Sequence, residues 1–255
     1  MFLAVDIGNT TIAVGIYDAN KLLAHWRLSS ILHTSDELGI YLLNLLRMNN
    51  LQPEKITGAA FASVVPSLDF PFSEAIRNYF GFEALQVDAS TNIDMKIRYK
   101  NPREVGADRI VAAYAGREKY GAPLVVIDYG TAITLDAVSS EGDYLGGAIA
   151  PGLFSGISAL FSKAAKLPKV ALKIPESVIG KNTDEAIQSG ILLGNAGLTD
   201  RIVELIKKEI GTNAKVVMTG GHAELMSKIS RGVDYVDPWL MLDGLRLIYE
   251  KVNHA

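Results

Sequence analysis

A short signature occurs twice in this chain of 255 residues, and it constrains the fold more than any other feature. The first copy, Asp6–Thr11, reads DIGNTT, and the second, Asp128–Thr131, reads DYGT. In each copy an apolar run precedes the aspartate, and a second run rich in β-branched residues follows the hydroxyl residues. This pattern predicts two strands joined by a tight turn. A glycine turn whose backbone N–H groups point into one concavity can bind an anion, so the duplication predicts two related halves with one such turn each.

The remaining elements repeat in a similar order, with strands first and helices after them. In the first half, the predicted strands are Phe2–Val5, Thr11–Tyr17, Lys21–Leu28, Gly58–Val65 and Ala84–Val87. The predicted helices are Asp36–Met48 with Ser35 as the cap, Phe70–Phe80, and a segment from Asn101 to about Lys119. In the second half, the predicted strands are Leu124–Ile127, Ile133–Val138, Tyr144–Ile149 and Val216–Met218, and the predicted helices are Phe154–Lys163, Thr183–Lys208 and one that begins near Pro238. Alternating strands and helices predict an α/β architecture.

A boundary between the halves is expected at Gly121-Ala122-Pro123, which gives domains 1–121 and 122–255. The final helix is expected to be able to pack back on the first domain. Hydrophobic residues make up 49% of the chain, which is enough for a substantial core in each half.

Charge and composition argue against several classes of protein. The net charge is -3 and no polybasic block occurs, so neither nucleic acid nor an anionic membrane is an expected partner. A mixed cluster at Arg98, Lys100, Arg103 and Arg109 is too short for that role. Cysteine is absent, which excludes thiolate metal ligands and a cysteine nucleophile. The longest uncharged run, 144–162, contains four glycines and a proline and is expected to be a buried loop that leads into a short helix.

The first turn has the chemistry of a phosphate site. Backbone N–H groups and the side chains of Asn9, Thr10 and Thr11 supply hydrogen-bond donors. Asp6 is anionic and cannot contact phosphate directly, so it needs Mg²⁺ or a water molecule between the two groups. The alternative is a hairpin in which the aspartate only forms the turn.

Other nucleotide and nucleophile motifs are absent from the sequence. It contains no G-x-x-x-x-G-K-[ST], no G-x-G-x-x-G after the first strand and no G-x-S-x-G. The four histidines lack the spacing of metal ligands. His25 is expected to be structural or to lie on the surface, and His222 follows a glycine pair that could lie near a nucleotide.

A third segment, 99–109, places Asp108 and Arg109 at the start of an apolar-faced helix. A carboxylate there could accept the proton of an alcohol during phosphoryl transfer. The guanidinium group of Arg109 could hold a substrate carboxylate through two hydrogen bonds. The alternative is a solvated helix end with a local ion pair.

On these residues the chain resembles the type III pantothenate kinases, a family of the actin-like ATPase superfamily. The resemblance extends over nearly the whole chain. Its motifs are Asp6–Thr10, Ser63–Pro66, Tyr99 with Asn101-Pro102, Gly106–Arg109, Asp128–Thr131, Gly146–Gly152, Leu167-Pro168, Asn182-Thr183 and Thr219–Gly221. The Gly-Ala-Asp-Arg motif is specific to the family, whereas the two turns alone mark only the superfamily. The C-terminal segment 237–245 matches loosely, which affects the expected local packing and not the chemistry.

The resemblance implies two ribonuclease H-like lobes, each a mixed five-stranded sheet with flanking helices. It also implies ATP-dependent phosphorylation of pantothenate to 4'-phosphopantothenate, the first step of coenzyme A synthesis. The residues expected to hold the nucleotide are Asp6, Ile7, Gly8, Asn9, Thr10, Thr11, Ile12, Ala13 and Thr131. The residues expected around pantothenate are Tyr99, Gly106, Ala107, Asp108, Arg109 and Thr183, with Asp108 as the proton acceptor.

The resemblance further implies Mg²⁺ near Asp6, a monovalent cation (K⁺ or NH₄⁺) at Asp128, a homodimer and a cytoplasmic location. A partner subunit would bury part of the uncharged stretch 144–162. Two alternatives stay open at this point. One is a kinase or phosphatase for another small alcohol, and the other is a non-catalytic regulator that keeps the fold.

Overall fold

A computed structural model describes residues 1–163 and 170–253 of the chain. The Leu167-Pro168 motif therefore lies outside the described residues. The described chain forms two compact units. The first unit comprises Met1–Ala115 together with Trp239–Ala255, and the second is Gly116–Pro238. The division falls just before the boundary expected from the sequence, and the C-terminal helix belongs to the first unit.

Each unit is a mixed five-stranded sheet with helices, as the resemblance implied. The strands of the first unit are β1 (Phe2–Ile7), β2 (Thr11–Asp18), β3 (Lys21–Ser29), β4 (Gly58–Ser63) and β5 (Leu85–Val87). Its helices are α1 (Ser35–Met48), α2 (Pro66–Phe80), the first part of α3 (Ala107–Tyr120) and α8 (Leu240–Asn253), with single 3₁₀ turns at Pro53–Lys55 and Pro102–Glu104.

The second unit has the strands β6 (Leu124–Tyr129), β7 (Ala132–Val138), β8 (Tyr144–Pro151), β9 (Lys215–Thr219) and β10 (Tyr235–Val236). Its helices are the end of α3, α4 (Leu153–Lys163), α5 (Thr183–Gln188), α6 (Gly194–Ile210) and α7 (Ala223–Met226), and the π-helical turn Ser189–Leu193 joins α5 to α6. The spatial order is β3-β2-β1-β4-β5 in one sheet and β8-β7-β6-β9-β10 in the other. The two orders correspond strand for strand, so the duplicated signature marks a duplicated sheet.

The two faces of β1 differ because strand side chains alternate. Leu3, Val5 and Ile7 enter the larger apolar core that also contains α1 and α2. The opposite face carries Phe2, whose ring centroid lies 4.7 Å from that of Tyr249 in α8. Asp6 shares this second face with Phe2. Most of the other residues on this face of β1 and of its two neighbouring strands are small, which allows helices to approach the sheet closely. These small residues are Ala4, Ala13, Gly15, Gly58, Ala60 and Ala62.

Helices α8 and α3 pack on each other through a glycine. A Cβ atom on Gly244 would lie 2.7 Å from Cγ1 and 2.8 Å from the carbonyl oxygen of Val111. Because one of these atoms belongs to the backbone, the contact leaves no room for a side chain. The Gly244 contact therefore positions the N-terminal part of α3 on the first unit.

The starts of α1, α2 and α3 differ from the sequence prediction. Helix α2 begins at Pro66 and not at Phe70. Helix α1 is capped by Thr34 and not by Ser35, since the Glu37 N–H donates to Thr34 Oγ1 and the Thr34 N–H donates to Glu37 Oε2. This reciprocal capping box satisfies two terminal donors, which a cap at Ser35 would not. Asn101 does cap a helical turn, but that turn is the 3₁₀ segment Pro102–Glu104, and α3 starts only at Ala107.

We predict that Gly244→Ala lowers the free energy of unfolding by about 2 kcal/mol or more, because the added methyl group overlaps the backbone of α3. Gly197→Ala in α6 is the control, since no atom lies within 4 Å of the position that its Cβ would take. That substitution is expected to stabilise the protein by about 0.5–1 kcal/mol through helix propensity. Urea unfolding of the two variants measures both values, and equal effects would contradict the close α3–α8 contact.

Candidate active site

The first turn is held by backbone hydrogen bonds. The Gly8 N–H donates to the Thr11 carbonyl oxygen at 3.0 Å, and the Ser30 N–H donates to the Thr10 carbonyl oxygen at 3.2 Å. Glycine does not serve here by adopting a positive φ, because Gly8 is not among the positive-φ residues. Its role is space, since a Cβ atom would lie 3.2 Å from the Thr11 carbonyl oxygen.

Asp6 is the second-last residue of β1, and its register neighbours decide what can reach it. Ala13 on β2 and Ala62 on β4 stand opposite Asp6 in the ladder. Residues in register on neighbouring strands point to the same face of a sheet. Asp6 is therefore flanked by two methyl groups, which leaves space beside the carboxylate for a hydrated metal ion and phosphate oxygens.

Asp108 is the second residue of α3. Its Oδ1 atom accepts a hydrogen bond from the Arg109 N–H at 2.8 Å, and the Gly106 carbonyl oxygen accepts from the N–H groups of Arg109 and Ile110. Burial raises the pKa of the Asp108 carboxyl group above its usual range, and the backbone N–H and the positive charge of Arg109 offset part of that rise. A partly desolvated carboxylate with a raised pKa is a better proton acceptor than an exposed one.

The Asp108 segment and the first turn lie at the same end of the first unit. The Val64 N–H donates to the Ile7 carbonyl oxygen at 3.0 Å. A Cβ atom on Gly106 would lie 3.7 Å from Val64 Cγ1 and 2.4 Å from Asp108 Oδ1. Val64 thus lies between the turn and the Gly106 backbone, and the absence of a side chain at Gly106 leaves the space that the Asp108 carboxylate occupies.

The second turn has a different local structure from the first. Asp128 stands in register with Thr134 on β7 and Thr219 on β9, so hydroxyl-bearing residues replace the two alanines. The connection is also shorter, because β6 ends at Tyr129 and β7 starts at Ala132, with the Gly130 N–H bonded to the Ala132 carbonyl oxygen at 3.0 Å. An oxygen-rich neighbourhood around a carboxylate is suited to a cation.

Gly220 packs directly on Asp128. Its φ of +94° is a conformation that side-chain-bearing residues rarely adopt, and a Cβ atom would lie 2.1 Å from Asp128 Oδ1. The same Cβ would lie 2.7 Å from the backbone nitrogen of Tyr129. Gly220 therefore forms a tight cradle that holds the Asp128 carboxylate, which occupies the space that a side chain would fill.

A second loop, after β8, lies on the other side of this turn. A Cβ atom on Gly152 would lie 2.3 Å from the Thr131 carbonyl oxygen, and Ser155 Oγ donates to the same oxygen at 3.0 Å. The ring of Phe154 lies 5.2 Å from that of His222, whose N–H bonds the Tyr129 carbonyl oxygen at 3.2 Å. The structure thus brings Thr131 and His222 to one end of the second unit.

Sequence reasoning missed Phe154 and Ser155 as neighbours of the second turn. The available signal was the Gly146–Gly152 motif directly before them, because a glycine at the end of a strand permits close approach to another backbone. Phe154 is 57% exposed, so its ring is accessible at this end of the unit.

Three predicted pantothenate residues occupy different environments. Arg109 is buried, with 6% of its surface exposed, which argues against a solvated helix end. Tyr99 is half-buried on the segment that precedes Asn101. Thr183 begins α5 after the cap Asn182, and it lines a cavity of about 350 Å³ with Ala186, Ile187, Gly190 and Ile191. That cavity does not include the residues of the second turn.

The metal expectations can be compared with the donors present. Within residues 1–163 and 170–253, no group of three or more His, Asp or Glu side chains could hold a metal ion. A single carboxylate fits Mg²⁺ that takes its other ligands from phosphate and water, which is the environment of Asp6. Asp128, with the Gly220 cradle and the flanking threonines, fits a larger cation bound by several oxygen atoms.

Comparisons with known proteins identify relatives along the whole chain. The model of the family described as type III pantothenate kinase matches residues 2–205. The type III pantothenate kinase of Roseiflexus sp. (strain RS-1) is 45% identical over 98% of this chain and 98% of its own. That of Moorella thermoacetica is 46% identical over 98% of this chain and 99% of its own.

Solved structures with low sequence identity share the fold. A Campylobacter jejuni protein described as a Baf family transcriptional activator has a TM-score of 0.62 at 20% identity and covers 99% of this chain and 100% of its own. Component A of the (R)-2-hydroxyglutaryl-CoA dehydratase of Acidaminococcus fermentans has a TM-score of 0.56 at 13% identity, with coverages of 99% and 96%. The ROK hexokinase of Thermus thermophilus has a TM-score of 0.50 at 14% identity, with coverages of 100% and 99%. These likenesses establish the actin-like ATPase fold.

We predict that Gly220→Ala destabilises the protein by on the order of 1–3 kcal/mol for the disfavoured φ, with a further loss from the clash with Asp128. Gly221→Ala is the matched control, because the neighbouring glycine has no atom within 4 Å of its Cβ position. The control is expected to stay within about 0.5 kcal/mol of the natural protein. Thermal unfolding checks both values, and an unperturbed Gly220→Ala variant would show that the cradle is not tight.

Proposed function

Because the chain belongs to the type III pantothenate kinase family, we propose that Asp108 is the proton acceptor in its reaction and that its two turns bind the nucleotide. The protein is an ATP-dependent kinase that phosphorylates pantothenate in coenzyme A synthesis. The observation that supports the residue assignment best is the partly buried Asp108 carboxyl group, which lies beside Gly106 and close to Val64, the residue that is hydrogen-bonded to the end of β1.

Asp108 acts on the hydroxyl group of pantothenate. As the bond between that oxygen and the γ-phosphorus of ATP forms and the bond to the β-phosphate oxygen breaks, the hydroxyl proton passes to the carboxylate. The Asp108 carboxylate only has to receive the proton late in the transfer, because phosphoryl transfer has a loose transition state. The pKa raised by burial favours this transfer, and the Arg109 N–H keeps Oδ1 in a fixed direction.

The first turn binds the phosphates of ATP. The residues proposed for this role are Asp6, Ile7, Gly8, Asn9, Thr10, Thr11, Ile12 and Ala13. Mg²⁺ at Asp6 would neutralise phosphate charge as ATP binds. The alanines that flank Asp6 leave room for that ion with its waters, and the turn supplies N–H and hydroxyl donors to the phosphate oxygens.

The second turn supplies Thr131 to the nucleotide and Asp128 to a monovalent cation, K⁺ or NH₄⁺. The support for this division is local. Asp128 is flanked by threonines and by the Gly220 backbone, whereas Asp6 is flanked by methyl groups. His222 is proposed to lie near the nucleotide because its N–H is bonded to the Tyr129 carbonyl oxygen.

Pantothenate is proposed to contact Tyr99, the start of α3 and Thr183. Gly106 and Ala107 offer backbone at the helix N-terminus, where the helix dipole favours negative charge. The buried guanidinium group of Arg109 can bind the pantothenate carboxylate through two charge-assisted hydrogen bonds.

We propose that the enzyme acts as a homodimer in the cytoplasm. Strand β8 is an edge strand of its sheet, and apolar side chains on and just after it are exposed, which is the usual property of a protein interface. Leu145, Ile149 and Phe154 are 39%, 65% and 57% exposed, and all belong to the uncharged stretch 144–162. The location is inferred from ATP as the phosphoryl donor. Among the described helices, none has both the length and the apolar character needed to cross a bilayer.

A coupled assay of ADP release tests the function. ATP, Mg²⁺ and K⁺ are supplied with and without pantothenate, and pantothenate-dependent turnover that falls when K⁺ is omitted is expected. Turnover with another small alcohol but not with pantothenate would favour the first alternative. ATP binding without turnover of any alcohol would favour a regulator.

We predict that Asp108→Asn lowers kcat by roughly 10²–10⁴-fold while the protein still binds ATP, because the amide cannot accept the proton. Asp184→Asn is the matched control, since Asp184 is the second residue of α5 as Asp108 is of α3, but is exposed. The control should keep normal kcat. Turnover of Asp108→Asn near that of the natural protein would remove Asp108 from the base role.

The Asp108→Asn variant, which is expected to lose activity, is not expected to lose stability at neutral pH. Folding raises the pKa of Asp108, so its contribution to stability is largest at low pH and is lost as the pH rises through the folded-state pKa. Asp108→Asn removes this loss. Its Tm should therefore equal or exceed that of the natural protein at pH 7.5, and the gain should shrink toward pH 4. A gain that grows at low pH would show that the Asp108 pKa is not raised.

We predict that Asp128→Asn weakens the response to K⁺, whereas Asp6→Asn alters the dependence on Mg²⁺ and leaves the K⁺ midpoint unchanged. The physical reason is the difference between their register neighbours. Steady-state titrations measure both midpoints, and K⁺-induced thermal stabilisation replaces them for a variant that is too slow to assay. Identical K⁺ responses in the two variants would refute the division between the turns.

A further inference from the structure

The segment before the 3₁₀ turn at Pro102–Glu104 carries a row of positive charges that the proposed mechanism does not use. Lys96, Arg98 and Lys100 are exposed and alternate with the partly buried Ile97 and Tyr99. Arg103 follows on the 3₁₀ turn and is also exposed. We call the four residues Lys96, Arg98, Lys100 and Arg103 the basic ribbon.

The charge of the basic ribbon is a local departure from the rest of the molecule. The chain as a whole carries a net charge of -3, yet no acidic residue occurs from Met95 to Arg103. The first acidic residues on either side of this segment are Asp94 and Glu104. Asp94 forms an ion pair with Lys251 at 2.9 Å, and Glu104 Oε1 accepts a hydrogen bond from Asn101 at 2.9 Å. A positive surface field is therefore concentrated on one short exposed segment.

We propose that the basic ribbon concentrates the carboxylate form of pantothenate at the entrance to its binding site. This inference rests on the proposed function, in which Tyr99 and the residues 106–109 contact pantothenate. These residues lie within and directly after the ribbon along the chain. A substrate with one negative charge that is attracted to the ribbon therefore arrives next to the residues that would bind it.

The distances are short enough for this field to act. Three residue steps separate Arg103 from Gly106, so their Cα atoms are at most about 11 Å apart, and those of Lys100 and Gly106 at most about 22 Å. The Debye length is about 30 Å at 0.01 M and about 3 Å at 1 M ionic strength. The attraction should therefore be felt at low salt and screened at high salt.

The phosphates of ATP are a second source of negative charge, and the chain position of the ribbon favours pantothenate over ATP. Lys100 and Arg103 lie between Tyr99 and Gly106, both proposed for pantothenate, whereas the proposed nucleotide residues are in the two turns. Pantothenol lacks the carboxylate of pantothenate. A variant that weakens the binding of pantothenate but not that of pantothenol therefore acts through the charge and not through contacts with the rest of the substrate.

The test reverses two charges of the ribbon in the full-length protein. The double variant Lys100→Glu with Arg103→Glu is compared with Lys21→Glu combined with Lys55→Glu, which makes the same change of net charge at two other exposed positions of the first unit. Steady-state kinetics are measured at about 0.01 M and 0.5 M ionic strength, with K⁺ constant and tetramethylammonium chloride as the added salt. The milder pair Lys100→Gln with Arg103→Gln guards against misfolding, and Tm is measured for all variants.

At low salt, the ribbon variant should raise KM for pantothenate roughly 3–10-fold, while kcat and the KM for ATP stay within about twofold. The increase should fall below about twofold at high salt, and the glutamine pair should show a smaller increase in the same direction. Pantothenol, used as acceptor or as competitive inhibitor, should bind the ribbon variant and the natural protein equally. The control variant should leave KM for pantothenate unchanged.

Four results would overturn the proposal. They are an unchanged KM for pantothenate at low salt, an increase that salt does not reduce, an equal weakening of pantothenol, and an increase confined to ATP. Failure of the proposed function is distinguishable from all four, because the natural protein would then show no pantothenate-dependent turnover under any of the conditions.

Discussion

The proposed site depends on strand register, because the pairing of the central strand with its two neighbours decides which residues lie beside one aspartate in each sheet. In both units the aspartate is the second-last residue of the central strand, and a glycine whose N–H closes the turn follows two residues later. A strand pairs with the central strand on each side, and its register fixes which residues share the aspartate's face of the sheet. Alanines flank Asp6, and threonines flank Asp128. The same backbone arrangement thus produces an open carboxylate in one unit and an oxygen-rich one in the other.

The rest of each unit supports that placement. On the first unit, small residues on the face of Asp6 let α8 approach the sheet, and the Gly244 contact positions the helix that carries Asp108. On the second unit, the loops after β8 and β9 reach the turn through Gly152 and Gly220, where side chains would not fit. The turn glycines Gly8 and Gly130 do not adopt left-handed geometry in either unit. A Cβ atom would be tight at Gly8, 3.2 Å from the Thr11 carbonyl oxygen, but would make only ordinary contacts at Gly130.

Much of this could be predicted from the sequence, for identifiable reasons. Apolar runs predicted most of the strands, and the resemblance predicted two five-stranded sheets and the kinase family, all of which were confirmed. Short or polar elements such as β10 and α7 were missed, because they have too few residues for a periodic pattern. The contact of Gly220 with Asp128 was not predictable, since it depends on the pairing of β6 with β9, which are far apart in the chain. The Asn101 signal was real, but capping chemistry does not distinguish a 3₁₀ turn from an α-helix.

The most direct test of the central claim, that the two turns bind different cations, is anomalous diffraction from crystals grown with an ATP analogue, Mg²⁺ and Tl⁺ as a heavy substitute for K⁺. The account predicts a Tl⁺ peak within coordination distance of Asp128 and the Gly220 loop, and Mg²⁺ with phosphate oxygens near Asp6. A Tl⁺ peak at Asp6 with none at Asp128 would contradict it.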